Sequence, residues 1–132
     1  MMLHKNNIKT EKRVEFIDIT TAVKKIIVSE NFTEGLCSVF VPHTTAGITI
    51  NEAADPDVVK DILKHFEKKV PYNDEYLHAE GNSAAHIKTL ITGSSVTIPV
   101  KEGKLVLGTW QGIYFCEYDG PRNRFYFISL NS

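Results

Sequence analysis

Three stretches of this 132-residue chain gather residue types that a hydrophobic core would not choose. The first is "HAEGNSAAHIKT", in which His78 and His86 flank Gly81, Asn82 and Ser83 just where a helical pattern begins. A helix opening at Ser83 aims its first unpaired amides back toward the loop that carries His78, and such helix starts bind anions. The two imidazoles are then metal ligands, walls of an anion pocket, or ordinary surface side chains. The H-x7-H spacing leaves these open, because it matches neither a helix-borne i, i+4 pair nor a zinc finger.

The second stretch is "HTTAGITINE". His43 follows a strand stopped by Pro42, Thr44 and Thr45 bring hydroxyls into a Gly47-containing turn, and a short strand ends on Asn51 and Glu52. Hydroxyls and backbone amides in such a turn suit phosphate-like oxygens. The plain alternative is a turn with an exposed histidine. The third stretch is "GTWQGIYFCEYDGPRNR". It sets Trp110 and Gln111 between two glycines, alternates Glu117 with Asp119, and places Arg122 after a turn. Two carboxylates on one strand face suit a divalent cation, and an arginine suits phosphate. A structural ion-pair cluster around the turn is the competing reading.

The elements that must position these groups follow from hydrophobic period and punctuation. Lys9 to Ile17 reads as a half-exposed strand. Ala22, Val23, Ile26 and Ile27 mark a helix that Asp18 or Thr20 could cap. "LCSVFVP" and "ITINE" are strands. The segment from Pro56 to Lys69 is a helix with Asp55 as N-cap and a buried stripe of Val58, Val59, Ile62, Leu63 and Phe66. A shorter helix follows, with Asn82 or Ser83 as cap and Gly93 past its end. "SSVTIPVKEGKLVLG" is a hairpin turning at Gly103, and "GIYFCEYDGPRNRFYFISL" is a second pair of strands turning at "DGPRN". Apolar residues on both faces of these last strands demand cover on both sides. The expectation is an α+β domain over residues 1–132, with about seven mostly antiparallel strands and three helices.

Composition narrows the function classes. With 42% hydrophobic and 23% charged residues and a formal net charge of −1, the chain reads as a globular domain with no electrostatic pull toward nucleic acid or anionic lipid. No apolar run reaches membrane-spanning length, and the N-terminus lacks the apolar stretch of a secretory signal. Cys37 and Cys116 lie in apolar strands and read as free buried thiols of a cytoplasmic protein rather than a disulfide.

Together, "HTTAGITINE", "HAEGNSAAH" and "LGTWQGIYFCEYDGPR" resemble the YjbQ-like family, often labelled secondary thiamine-phosphate synthase, over nearly the whole chain. The resemblance implies a β-sandwich-like core and a homotrimer, with sites near subunit interfaces. It also implies a weak thiamine-phosphate synthase activity, joining a pyrimidine diphosphate to a thiazole phosphate with loss of diphosphate. That chemistry asks for a divalent cation, phosphate donors and an aromatic surface. The expected site then has Glu52 and His86 as catalytic residues. Thr44, Thr45, Asn51, Asn82, Trp110, Gln111, Glu117, Asp119 and Arg122 would bind substrate. His43, His78 and His86 would hold zinc or another transition metal if they converge; magnesium would serve if carboxylates and phosphate dominate. A non-catalytic protein binding metal or a phosphorylated metabolite is the alternative.

Overall fold

Alternate residues of the last strand, Arg124, Tyr126, Ile128 and Leu130, are buried, while Phe125, Phe127 and Ser129 between them are half-buried. This period of two is what a strand with one covered face requires. A computed structural model describes residues 2–132. In chain order it contains β1 (Met2–Lys9), β2 (Glu15–Asp18), α1 (Thr20–Ser29), β3 (Gly35–Phe40), β4 (Ala46–Glu52), α2 (Pro56–Lys69), α3 (Ser83–Thr92), β5 (Ser95–Lys101), β6 (Lys104–Leu105), β7 (Gln111–Glu117) and β8 (Asn123–Asn131).

The strands form two antiparallel sheets, one ordered β1-β8-β3-β5-β6 and the other β2-β7-β4. Between them lies the main core, where Val23 and Ile27 of α1 join Cys37, Val39, Ile48, Ile113, Phe115, Ile128 and Leu130. On the far side of the smaller sheet, Tyr114, Cys116 and Tyr118 pack with Ala85 of α3 and with Val59 and Phe66 of α2. β7 is therefore buried on both faces, as its doubly apolar sequence requires. Cys37 and Cys116 are both free and buried. Burial pushes the Cys37 thiol up to about 11, so it stays protonated and unreactive.

Four sequence expectations need correction. The strand expected over Lys9 to Ile17 is instead the end of β1, a loop over residues 10–14 and most of β2. The half-buried face of β1 carries His4 and Asn6 beside Met2 and Ile8, with His4 3.2 Å from Glu30 and Asn6 bonded to Tyr126, and these polar residues hide the period. The last two strands are not paired to each other. β2 and β4 take both edges of β7, and β1 and β3 take both edges of β8, so residues 118–122 carry the chain from one sheet to the other. The stripe on α2 is only half-buried. Finally, Asn82 occupies the N-cap position of α3, but its side chain makes no capping bond.

Candidate functional site

The chain turns between His78 and Gly81, where the Gly81 amide donates to the His78 carbonyl at 3.1 Å. Gly81 has φ 74°, a conformation that costs an L-residue side chain energy but not glycine. This turn folds His78 back over the start of α3. One helical turn later stands His86, and the two rings meet nearly perpendicular, their centroids 5.4 Å apart. Two imidazoles bound through nitrogens about 2.0–2.1 Å from one tetrahedral zinc place their centroids roughly 5 Å apart. The pair has the spacing of two ligands to one ion.

His43 comes to the same place from the end of β3. Continuing the β3–β8 register would set Pro42 opposite Phe125, and proline has no N–H for the ladder. The His43 ring fills in, with Nε2 3.2 Å from the Phe125 amide and 3.0 Å from its carbonyl. That nitrogen is engaged with the strand, so only Nδ1 is left for a ligand. Burial and the Arg124 charge hold His43 below the usual 6.5, against the opposing Phe125 bond and Glu117 charge. It is thus neutral at pH 7.

These three histidines line one open cleft of about 440 Å³ together with Thr44, Thr45, Asn82 and Arg122. Thr44 is exposed, whereas Thr45 is buried and takes a bond from Arg124 at 2.8 Å. Arg122 donates Nε to the Asp119 carbonyl at 2.7 Å and Nη2 to its carboxylate at 3.0 Å, leaving guanidinium protons for a ligand. Asn82, 6% exposed, donates Nδ2 to Asp119 at 2.9 Å, and its Oδ1 has no partner. Among the described residues, no group of three or more His, Cys, Asp or Glu could hold a metal by itself.

Other expected site residues lie elsewhere. Glu117 is fully buried behind the cleft wall and accepts from Thr10, from Arg124 twice and from the Asp119 amide. Burial raises its pKa, but these bonds outweigh burial and hold it below the usual 4.5. Its oxygens have none to spare for a cation. Asp119 is held below its usual 3.8 as well, because bonds from Asn82 and Arg122 and nearby arginine charges overcome burial. Glu117 and Asp119 form two carboxylate–arginine pairs, not a cation site.

Glu52 does not share the cleft within one chain. Strand β4 leaves the cleft at Ala46 and runs six residues to Glu52, about 20 Å at strand rise. There Glu52 pairs in register with Gln111, Asn51 bonds the Glu52 amide, and the Ala53 amide bonds the Trp110 carbonyl. Trp110 is 64% exposed. Asn51, Glu52, Trp110 and Gln111 thus form a second polar cluster at the opposite end of the smaller sheet.

Three cleft residues escaped the sequence reading: Pro42, Glu80 and Arg124. Arg124 had a legible signal, because it falls in the same alternating phase as Tyr126, Ile128 and Leu130, and a charge in a core phase needs a buried partner.

The sequence family described as "UPF0047 protein YjbQ-like" matches residues 4–132. The chain belongs to the YjbQ-like family. UPF0047 protein YugU of Bacillus subtilis is 52% identical to this YjbQ-like chain over 98% of each. A UPF0047 protein of Methanocaldococcus jannaschii is 50% identical over 98% of this chain and 94% of its own length. A crystal structure of a YjbQ/UPF0047-family protein from Clostridium acetobutylicum superposes with a TM-score of 0.95 at 52% identity, covering 97% of this chain and 99% of that one. A hypothetical protein from Aeropyrum pernix reaches the same TM-score at 36% identity, covering 100% and 99%. Similarity therefore extends over both polar clusters of this YjbQ-like fold.

Proposed function

We propose that the histidine cleft binds a small phosphorylated metabolite and acts on its phosphate-bearing group, with a divalent transition metal held by His78 and His86. The observation that carries this reading is the convergence of the two rings at 5.4 Å over the first turn of α3. Neutral imidazoles favour zinc or a similar ion over magnesium, and the engagement of Glu117 and Asp119 by arginines leaves Glu80 as the carboxylate lining the cleft. A metal bound there supplies positive charge to a phosphoryl or diphosphate oxygen. Around it, the Thr44 hydroxyl, the first amides of α3 and Arg122 donate to the remaining oxygens. His43 is neutral and available through Nδ1 to hold or accept a proton.

Thiamine-phosphate synthesis fits this inventory at the leaving diphosphate. The two flat rings would need an aromatic surface, and Trp110 is too far away in the same chain. A homotrimer answers both points. Leu77, Leu90 and Ile91 are exposed beside the cleft or on α3, and a neighbouring cytoplasmic copy would cover them while bringing its own Glu52 and Trp110 near. Within one chain, however, the cleft holds more binding groups than candidate bases. That favours non-catalytic binding of a phosphorylated metabolite as the second reading.

The test is incubation of the protein with hydroxymethylpyrimidine diphosphate and thiazole phosphate in the presence of zinc, manganese or magnesium. Metal-dependent release of diphosphate that disappears in His86→Ala supports the enzyme. Tight binding of either phosphate without turnover supports the second reading. Neither binding nor turnover overturns both.

A further inference from the structure

We infer that the cleft discriminates between anions by protonation: it selects a phosphoryl group that keeps a P–OH and rejects fully deprotonated tetrahedral anions such as sulfate, with Asn82 as the discriminating residue. The inference rests on the reading of the cleft as a phosphate site. It starts from the unusual state of Asn82. An asparagine at a helix N-cap ordinarily turns its side-chain oxygen onto the amide two or three residues on. Here the side chain makes no such bond. Nδ2 is tied back to Asp119 at 2.9 Å, and that assignment is forced, since an ionised carboxylate only accepts.

Oδ1 is consequently a buried acceptor without a donor, in a residue only 6% exposed that lines the cleft. Buried acceptors left unpaired are costly, so the site is incomplete until something donates to this oxygen. The same helix start leaves the Ser83 and Ala84 amides without intrahelical carbonyls, while the Ala85 amide already bonds Asn82's own carbonyl at 3.0 Å. The cleft therefore sets amide donors beside an unpaired buried acceptor, Asn82 Oδ1, with the Glu80 carboxylate also among its lining residues.

A ligand that matches must carry acceptor oxygens and one acidic proton on the same small group. Inorganic phosphate at neutral pH always keeps a P–OH, and sulfate keeps none. Sulfate would satisfy the amides but press a bare oxygen against Oδ1. For a phosphate monoester, whose second proton is lost near pH 6, the same contact selects the monoanion.

The experiment titrates inorganic phosphate and sodium sulfate into wild-type protein and Asn82→Ala at pH 7, following the His78 and His86 ring resonances. Wild type is expected to bind phosphate at least about tenfold tighter than sulfate, the scale of one unsatisfied buried group. In Asn82→Ala the preference is expected to collapse below about twofold, with sulfate binding unchanged or tighter. A helix weakened for purely structural reasons would lose both anions together. Equal binding of the two anions by wild type overturns the discrimination and leaves the phosphate cleft standing. So does an equal loss of both in Asn82→Ala. Binding of neither anion by folded wild-type protein overturns both readings. Asn82→Ser serves as the second variant if the alanine form fails to fold, with the same expected loss of preference.

Discussion

Arg124 grips Glu117 by two parallel bonds, Nε to Oε1 at 2.9 Å and Nη2 to Oε2 at 2.5 Å, with both side chains buried between the end of β7 and the start of β8. The pair spans the point where the chain leaves one sheet for the other. It also fixes the back wall of the histidine cleft, because Arg124 bonds both the hydroxyl and the carbonyl of Thr45.

Breaking this pair strands a buried charge. Arg124→Met is expected to lose about 3–5 kcal/mol of stability, and Glu117→Gln a comparable amount, while the double variant loses less than the sum. Urea denaturation of the three variants checks it; a loss below about 1 kcal/mol in Arg124→Met contradicts a structural role.

The same carboxylate makes stability pH-dependent in a defined direction. Glu117 is held below the usual 4.5 in the folded protein, so its contribution is complete above that value and is lost as pH falls through the folded pKa. Wild type is expected to lose stability more steeply than Glu117→Gln below about pH 4.5. Parallel denaturation profiles for the two proteins would remove Glu117 as the source.

His43 predicts an effect at milder acidity. Its pKa is lowered from the usual 6.5, mainly by burial and then by the Arg124 charge. The unfolded chain therefore binds this proton first, and stability drops as pH falls from 6.5 through the folded value. The His43 ring resonance should titrate below 6.5, and His43→Phe should lose this part of the pH dependence. A midpoint at or above the ordinary value contradicts the dominance of burial and the Arg124 charge over the Phe125 bond.

Gly47 explains why "HTTAGITINE" needs a glycine inside a strand. A Cβ there would stand 2.6 Å from the Gly93 carbonyl, which accepts the Ile48 amide at 3.1 Å. Gly47→Ala must push the end of α3 away from β4, at a cost of about 1–3 kcal/mol. Because α3 carries His86 and Asn82, the variant should also weaken ligand binding in the cleft. Wild-type melting and binding in this variant would contradict that coupling.

Much of this fold is legible in the sequence, for reasons that differ by element. Helix α2 carries its own punctuation: Asp55 caps it by accepting from the Asp57 amide at 2.9 Å, Pro56 opens it, and Lys68 and Lys69 close it. β7 announced its central position by being apolar on both faces. β1 stayed hidden because His4 and Asn6 sit on its half-buried face. The partnering of β7 and β8 was also hidden, since "DGPRN" signals a turn but says nothing of which edges remain free. In the site, the local motif raises a meeting of His78 and His86 across a helix start as one of three readings, and the two rings do lie together. Linear proximity misled for Glu52, which shares a motif with His43 but is carried away by an extended strand. Arg124 shows in the sequence only as a charge in a core phase, and its partners Glu117 and Thr45 come together only in the fold.

His78 and His86 are the proposed metal-holding pair of the phosphate cleft. The most direct measurement is metal content by elemental analysis of tag-free protein, wild type beside His78→Ala and His86→Ala, with folding of all three verified by circular dichroism. A stoichiometric transition metal, zinc being the leading candidate, is expected in wild type and is expected to be lost from both variants. Metal absent from folded wild type, or retained equally in both variants, would contradict it.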